Sequence, residues 1–301
     1  MKKILVTGGA GFIGSAVIAH LQKAKHELFV IDNLSFGNRS FIDIDDQHFF
    51  NADILDEKRI DEIIGSIKPD YVIHLAAIHF IPYCNQHPFE SSNINIRGTI
   101  HVLNAAKKFK PEKIFFASTA ACYPIYDDAV NETHAVGPMD IYGLSKLTGE
   151  HLCNEFYLET GIPVIVCRFF NAFGPNETNP HLIPEIQKQV LEGKRIIQLG
   201  NLTPKRDFIH TFDMAAAVET LLARVTEGIH TFNLGRGIEY SVTEIVDAFS
   251  KAIGEEIKIE VDPARVRKVE REHLLADVSK LKALGWQPKI GIDEGIKTLV
   301  Q

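Results

Sequence analysis

Tyr142 and Lys146 stand four residues apart in "DIYGLSKLTGEH", residues 140–151, where a segment of helical character begins. Residues i and i+4 share one helix face, so the spacing holds a phenol and an ammonium side by side. The pair can be an ordinary surface contact or a device for proton transfer. Free tyrosine ionises near pH 10, too high for a base at neutrality, and a neighbouring cation favours the phenolate. A third group must then hold the hydroxyl that gives up its proton. "FFASTAACYP" sets Ser118 and Thr119 at the end of a buried strand, where ligands of open α/β sheets are bound.

A second chemical element opens the chain. "LVTGGAGFIGS" spaces Gly8, Gly11 and Gly14 three apart between an apolar run and a helical pattern. A tight turn, a backbone that can approach a pyrophosphate, and a helix N-terminus with partial positive charge follow from that order. The next strand ends in Asp32, placed to accept hydrogen bonds from both ribose hydroxyls of an adenosine. Its charge would repel a 2′-phosphate, so NAD is favoured over NADP. Asp53 in "NADILD" is placed to reach the adenine, or alternatively to cap the helix begun by "EKRIDEII". An oxidised nicotinamide near Tyr142 adds positive charge and takes the hydride as the tyrosine takes the proton.

The elements that must position these groups can be read from periodicity. "KKILVTG", "ELFVID", "HFFNAD", "YVIHLAA", "KIFFAST" and "IPVIVCRFF" read as buried strands separated by helix-period segments such as Ile60, Ile63, Ile64 and Ile67. This alternation predicts an α/β, doubly wound parallel sheet covered on both faces. After about residue 170 the rhythm loosens through "NAFGPNETNPHLIP". Residues 1–170 are expected to hold the dinucleotide, with a stretch around 204–235 returning to them. Residues 171–301 are expected to form mainly a smaller substrate lobe.

Composition narrows the function classes. The 301 residues are 45% hydrophobic and 24% charged with a net charge of −7, and no long basic run suggests nucleic acid as a partner. Cys84, Cys122, Cys153 and Cys167 form no CxxC pair and read as thiols of a reducing compartment. The histidines, including His74, His79 and His210, are too scattered for a metal site, so none is expected. Two lysines before an apolar stretch mimic a signal peptide, but glycines break that stretch. Apolar runs elsewhere fall well short of the roughly 20 residues that span a bilayer. A cytoplasmic protein with no membrane partner is expected.

Over essentially its whole length the chain resembles the extended short-chain dehydrogenases/reductases, in the NAD-dependent epimerase/dehydratase family acting on nucleotide-activated sugars. The motifs are TGGAGFIG, DNLSFGN, NADILD, HLAA, NINIRGT, STAACY, YGLSK, RFFNAFGP, HLIP, KRDFIH and ADVSKLKALGW. The resemblance implies Tyr142 as base and acid, Lys146 as its partner and Thr119 as the hydroxyl-holding third member, Ser118 being the alternative. It implies NAD contacts at Gly8, Gly11, Phe12, Ile13, Gly14, Asp32, Asn33, Asp53, Ile54, Leu75, Ala76, Ala77, Asn95, Ser118, Tyr142 and Lys146. For a nucleoside-diphosphate sugar it implies His79, Thr119, Asn171, His181, Leu182 and Arg206. Arg267 and Glu270 fall where related epimerases carry an RxxD pair, with Glu in place of Asp. The resemblance also implies a homodimer through the helices bearing Asn95 and Tyr142.

Departures from the family pattern bear on the reaction. Sugar 4,6-dehydratases place acidic residues immediately after the catalytic threonine, where this chain has Ala120 and Ala121. GDP-fucose synthases resemble it in the HLIP histidine but carry a cysteine where Ala121 stands, and Cys122 is one position off. What remains is 4-epimerisation of an NDP-hexose of the UDP-glucose/UDP-galactose type, by transient oxidation at C4. The alternatives are an NDP-4-keto-6-deoxyhexose reductase and, further off, a dehydratase or a non-catalytic NAD-binding protein.

Overall fold

The computed structural model describes residues 1–266 and 271–300. The first half alternates as its periodicity requires: β1 (Lys3–Thr7), α1 (Phe12–Lys23), β2 (Glu27–Asp32), β3 (Phe49–Asn51), α2 (Glu57–Ile67) and β4 (Tyr71–His74). Two short helices, α3 (Ile81–Gln86) and α4 (Pro88–Ser92), lead through a π-turn at Asn93–Arg97 into α5 (Gly98–Phe109). Then come β5 (Lys113–Thr119), α6 (Ile141–Thr160) and β6 (Val164–Phe169). The second half runs β7 (Asn171–Phe173), α7 (Leu182–Leu191), β8 (Ile196–Leu199), β9 (Lys205–His210), α8 (Thr211–Arg224) and β10 (Ile229–Leu234). It ends with β11 (Glu239–Ser241), α9 (Val242–Ile253), β12 (Lys258–Val261), α10 (Ser279–Lys282) and α11 (Ile292–Val300).

Seven strands form one parallel sheet in the order β3-β2-β1-β4-β5-β6-β10. Every residue of β5 and β6 is buried, which is why these strands read as unbroken apolar runs rather than alternating ones. The direction of strand addition reverses between β1 and β4, and the crevice at that switch point is where an open α/β sheet binds ligands. One face packs Val17 and Leu21 of α1 against Met214, Val218 and Leu221 of α8. The other packs Ile60 and Ile64 of α2 with Val102 of α5 and Phe156 of α6. A separate core around Ile186, Phe249 and Ile296 joins α7, α9 and α11.

The segment 204–235 is divided between sheets. β10 lies beside β6 at the edge of the large sheet, whereas β9 sits between β11 and β7 in a three-stranded sheet. The expected third strand is shorter than "HFFNAD", ending at Asn51. Asp53 turns the chain there by accepting from the Leu55 amide at 2.8 Å. The cap of α2 is Asp56, which accepts from the Arg59 amide at 3.0 Å, so the capping alternative for Asp53 does not hold.

Candidate active site

A single cleft of about 1230 Å³ runs along the carboxyl edge of the sheet from the glycine loop to the second lobe. At its first end Gly8 has φ +74°, and a Cβ there would sit 2.7 Å from the Ala76 amide nitrogen, so only glycine lets the two loops meet. The N-cap of α1, Gly11, has no side chain to satisfy the first amides of the helix, which leaves them directed to a ligand. Asp32 is 8% exposed; its oxygens accept from the Ala10 amide at 3.0 Å and the Leu34 amide at 2.8 Å. Each oxygen keeps a lone pair for a ribose hydroxyl. Asn33 donates to Asp53 at 2.9 Å, joining the ends of β2 and β3 at the cleft. Phe12, Ile13, Gly14, Ile54, Leu75, Ala76 and Ala77 line the same stretch.

Tyr142 and Lys146 both reach the middle of this cleft from α6. The helix starts where Asp140 accepts from the Gly143 amide at 2.7 Å. Gly143 lets that first turn come close to the end of β5: a Cβ there would lie 2.4 Å from the Ala121 carbonyl oxygen. Thr119 therefore meets Tyr142, and its hydrogen bond pulls the phenol's pKa down. Burial is the larger influence and pushes that pKa well above the ordinary tyrosine value. The lowering expected from Lys146 is thus not established by the protein alone, because the sequence spacing does not reveal how deeply Tyr142 is desolvated. The Lys146 ammonium lies 4.6 Å from the Phe116 ring centroid, and burial lowers its pKa to about 8. Among the described residues it has no hydrogen-bond partner, so its donors are available to a ligand. Open helix amides, an acceptor at Asp32 and a donor at Lys146 fit the pyrophosphate, adenosine ribose and nicotinamide ribose of a dinucleotide.

Ser118 also reaches the cleft wall, but its hydroxyl donates to Glu150, which leaves Thr119 as the group opposite Tyr142. Asn95 does not line the cleft. Its amide accepts from the Ile78 amide at 2.8 Å and donates to the Ile78 carbonyl and to Ser145, both at 2.9 Å. Ser145 in turn donates to the Tyr142 carbonyl at 2.8 Å, so Asn95 ties α6 to the loop after β4. Cys122 is buried, with its sulfur 3.6 Å from the Gly143 carbonyl, and burial raises its thiol pKa to about 12. Ala120 and Ala121 line the cleft with no carboxylate between them.

At its second-lobe end the cleft is lined by Asn171, His181, Leu182 and Arg206, together with His79. His79 is a cleft residue: its Nε2 is 3.1 Å from the Asn179 amide nitrogen, and burial depresses its pKa to about 4. Arg206 donates to the Lys205 and Arg271 carbonyls at 2.8 Å. Arg267 and Glu270 lie outside the described residues. Arg265, Arg271 and Glu177 line the cleft and were not singled out from sequence. The only trace of the two arginines is the basic density of "ARVRKVERE"; nothing local marks Glu177. The segment from Gly174 to His181 also reaches the first lobe. Asn176 donates to the Ser15 hydroxyl at 3.2 Å and Thr178 to the Phe36 carbonyl at 3.1 Å.

This fold and cleft belong to a known class: the chain is a member of the NAD dependent epimerase/dehydratase family, matched over residues 4–235. Its particular likenesses are narrower. It is 31% identical to the UDP-glucose 4-epimerase of Bacillus subtilis, covering 97% of this chain and 94% of that protein. It is also 31% identical to a dTDP-glucose 4,6-dehydratase of Neisseria meningitidis, covering 100% of this chain and 93% of that one. The crystal structure of UDP-glucose 4-epimerase from Bifidobacterium longum in complex with NAD+ and UDP superposes with a TM-score of 0.89. That match has 26% identity and covers 99% of this chain and 97% of the other.

Proposed function

We propose that this chain is an NAD-dependent nucleotide-sugar 4-epimerase acting on an NDP-hexose of the UDP-glucose/UDP-galactose type. The observation that carries the reading is the meeting of Tyr142, Lys146 and Thr119 at the cleft, with alanine rather than an acid at the two positions, 120 and 121, that directly follow Thr119. Residues 1–170 hold the dinucleotide and residues 171–301 mainly the nucleotide sugar. Asp32 accepts from the adenosine ribose, the open amides of α1 face the pyrophosphate, and Lys146 donates to the nicotinamide ribose. Bound NAD supplies a reversible hydride acceptor at C4 of the sugar. Thr119 holds the O4 hydroxyl while Tyr142 removes its proton, and Tyr142 returns a proton once the 4-keto sugar has turned. Arg206 and Asn171 anchor the diphosphate, since a guanidinium offers several fixed donors to phosphate oxygens.

Ala120 and Ala121 cannot move the protons of a 4,6-elimination, which favours the epimerase side of the family. No helix among the described residues is long and apolar enough to cross a membrane; we place the enzyme in the cytoplasm. We further read it as a homodimer through α4–α6, supported by Phe89, Leu144 and Leu158, which are 90%, 52% and 69% exposed. The deciding experiment releases and identifies any dinucleotide carried by the purified protein, then follows UDP-, GDP-, CDP- and dTDP-hexoses by NMR without added cofactor. A new C4 stereoisomer without cofactor turnover is the expected result. Consumption of a 4-keto sugar only when NAD(P)H is supplied would make it a reductase instead.

A further inference from the structure

The catalytic face of α6 continues one turn past Lys146 to Glu150, which is 9% exposed and faces Arg168 of β6, 6% exposed. The guanidinium forks onto the carboxylate, with Nε to Oε1 at 2.9 Å and Nη2 to Oε2 at 2.7 Å. Oε1 also accepts from Ser118, the neighbour of Thr119 on β5. On its far side Arg168 donates to the Tyr123 hydroxyl at 2.9 Å, which donates to Asn233 at 2.8 Å. The Tyr123 carbonyl accepts at 2.8 Å from Arg271, a cleft residue. One buried network thus links the helix bearing the base, the strand bearing the hydroxyl and the loop at the substrate end. A buried ion pair adds little stability over a well-packed apolar pair, so stability does not account for it.

We propose that Glu150 and Arg168 are positioning residues for the reaction, holding α6 and β5 so that Tyr142 and Thr119 converge on the sugar hydroxyl. The proposal rests on the epimerase reading above. Glu150 also contributes to the charge environment beside the base, where burial is the largest influence. The groups that act on or lie near Lys146 are Glu150 and Cys153 on its own helix, Cys122 beyond β5, His74 of β4 and His79 after it. Burial keeps both cysteines as thiols and both histidines neutral at pH 7, their pKa values falling to about 3 and about 4. Glu150 is therefore the charged group of that set, and its carboxylate favours the ammonium form of Lys146 against burial.

The test uses holoenzyme and reads reduction of the bound nicotinamide in a single turnover with an NDP-hexose, per folded molecule counted by circular dichroism. Glu150→Gln should slow that step by about 10- to 100-fold. It should leave KM within about threefold and move the alkaline limb of the pH profile to lower pH. A Glu150→Met/Arg168→Met double variant removes both charges without leaving one unpaired, and it should fold and show the same loss of rate. It decides the matter if Glu150→Gln does not fold. Wild-type rate and pH profile per folded molecule in the double variant would overturn the proposal. A wild-type holoenzyme that never reduces its nicotinamide with any NDP-hexose would instead sink the epimerase reading.

Discussion

Gly143→Ala is the sharpest perturbation of the proposed chemistry, because it adds one methyl group without touching any reacting atom. The new Cβ would stand 2.4 Å from the Ala121 carbonyl oxygen, where real Cβ contacts essentially never fall below 3.0 Å, so backbone must separate by at least 0.6 Å. The carbonyl belongs to the turn that follows Thr119, and the glycine follows Tyr142, so the separation opens between base and hydroxyl holder. A misplacement of about 1 Å costs on the order of 100-fold in rate, so 0.6 Å predicts a fall in kcat of about 10- to 100-fold. Bound dinucleotide, measured after denaturation, should remain at wild-type stoichiometry because the glycine loop and Asp32 are untouched. Gly137→Ala is the control: its Cβ would meet only ordinary contacts of 3.6–3.7 Å with Pro124, and its turnover should match wild type. Full kcat in Gly143→Ala would refute the argument that close approach of α6 to β5 sets the reaction geometry.

Other outcomes follow from the same geometry. Tyr142→Phe keeps the ring and removes the proton carrier; turnover should drop by about 100- to 10,000-fold while dinucleotide content is retained, as read by NMR and by cofactor release. Asp32→Asn should weaken NAD and permit NADP, because it removes the charge facing a 2′-phosphate; titration calorimetry with both dinucleotides measures the ratio, and unchanged discrimination would contradict the assignment. Burial holds the folded His74 and His79 imidazoles well below the usual histidine pKa of about 6.5, at about 3 and about 4. The unfolded chain therefore binds more protons between about pH 4 and 6.5, and stability should fall as pH drops through that window, by on the order of 1.4 kcal/mol per unit per histidine. Urea denaturation across this range should show the decline, and it should be shallower in His74→Asn.

The glycine loop, the strand–helix rhythm and the Tyr142–Lys146 pair were legible because each is a local pattern whose geometry follows from residue spacing. Asp53 and Asp56 both precede the same helical stripe, so spacing alone could not separate the cap from the turn residue. Asn95 sits in a π-turn that aims its amide at Ile78 and Ser145, a direction that spacing does not reveal. Such a turn has no propensity signature. Arg265, Arg271 and Glu177 come to the cleft from segments distant in the chain, and only the packed second lobe shows them there. The depth of Tyr142, which reverses the expected direction of its pKa, likewise depends on what the tertiary fold stacks over it.

The contacts that Asn176 and Thr178 make across to Ser15 and Phe36 bear on how the enzyme meets its surroundings. The two contacts tie the segment 174–181 to α1 and to the loop after β2, the elements proposed above to hold the dinucleotide, so a bound dinucleotide is expected to stay with the catalyst rather than exchange as a second substrate. An epimerase so built would run at a rate indifferent to the oxidised-to-reduced nicotinamide ratio around it, and its output would follow sugar-nucleotide supply alone.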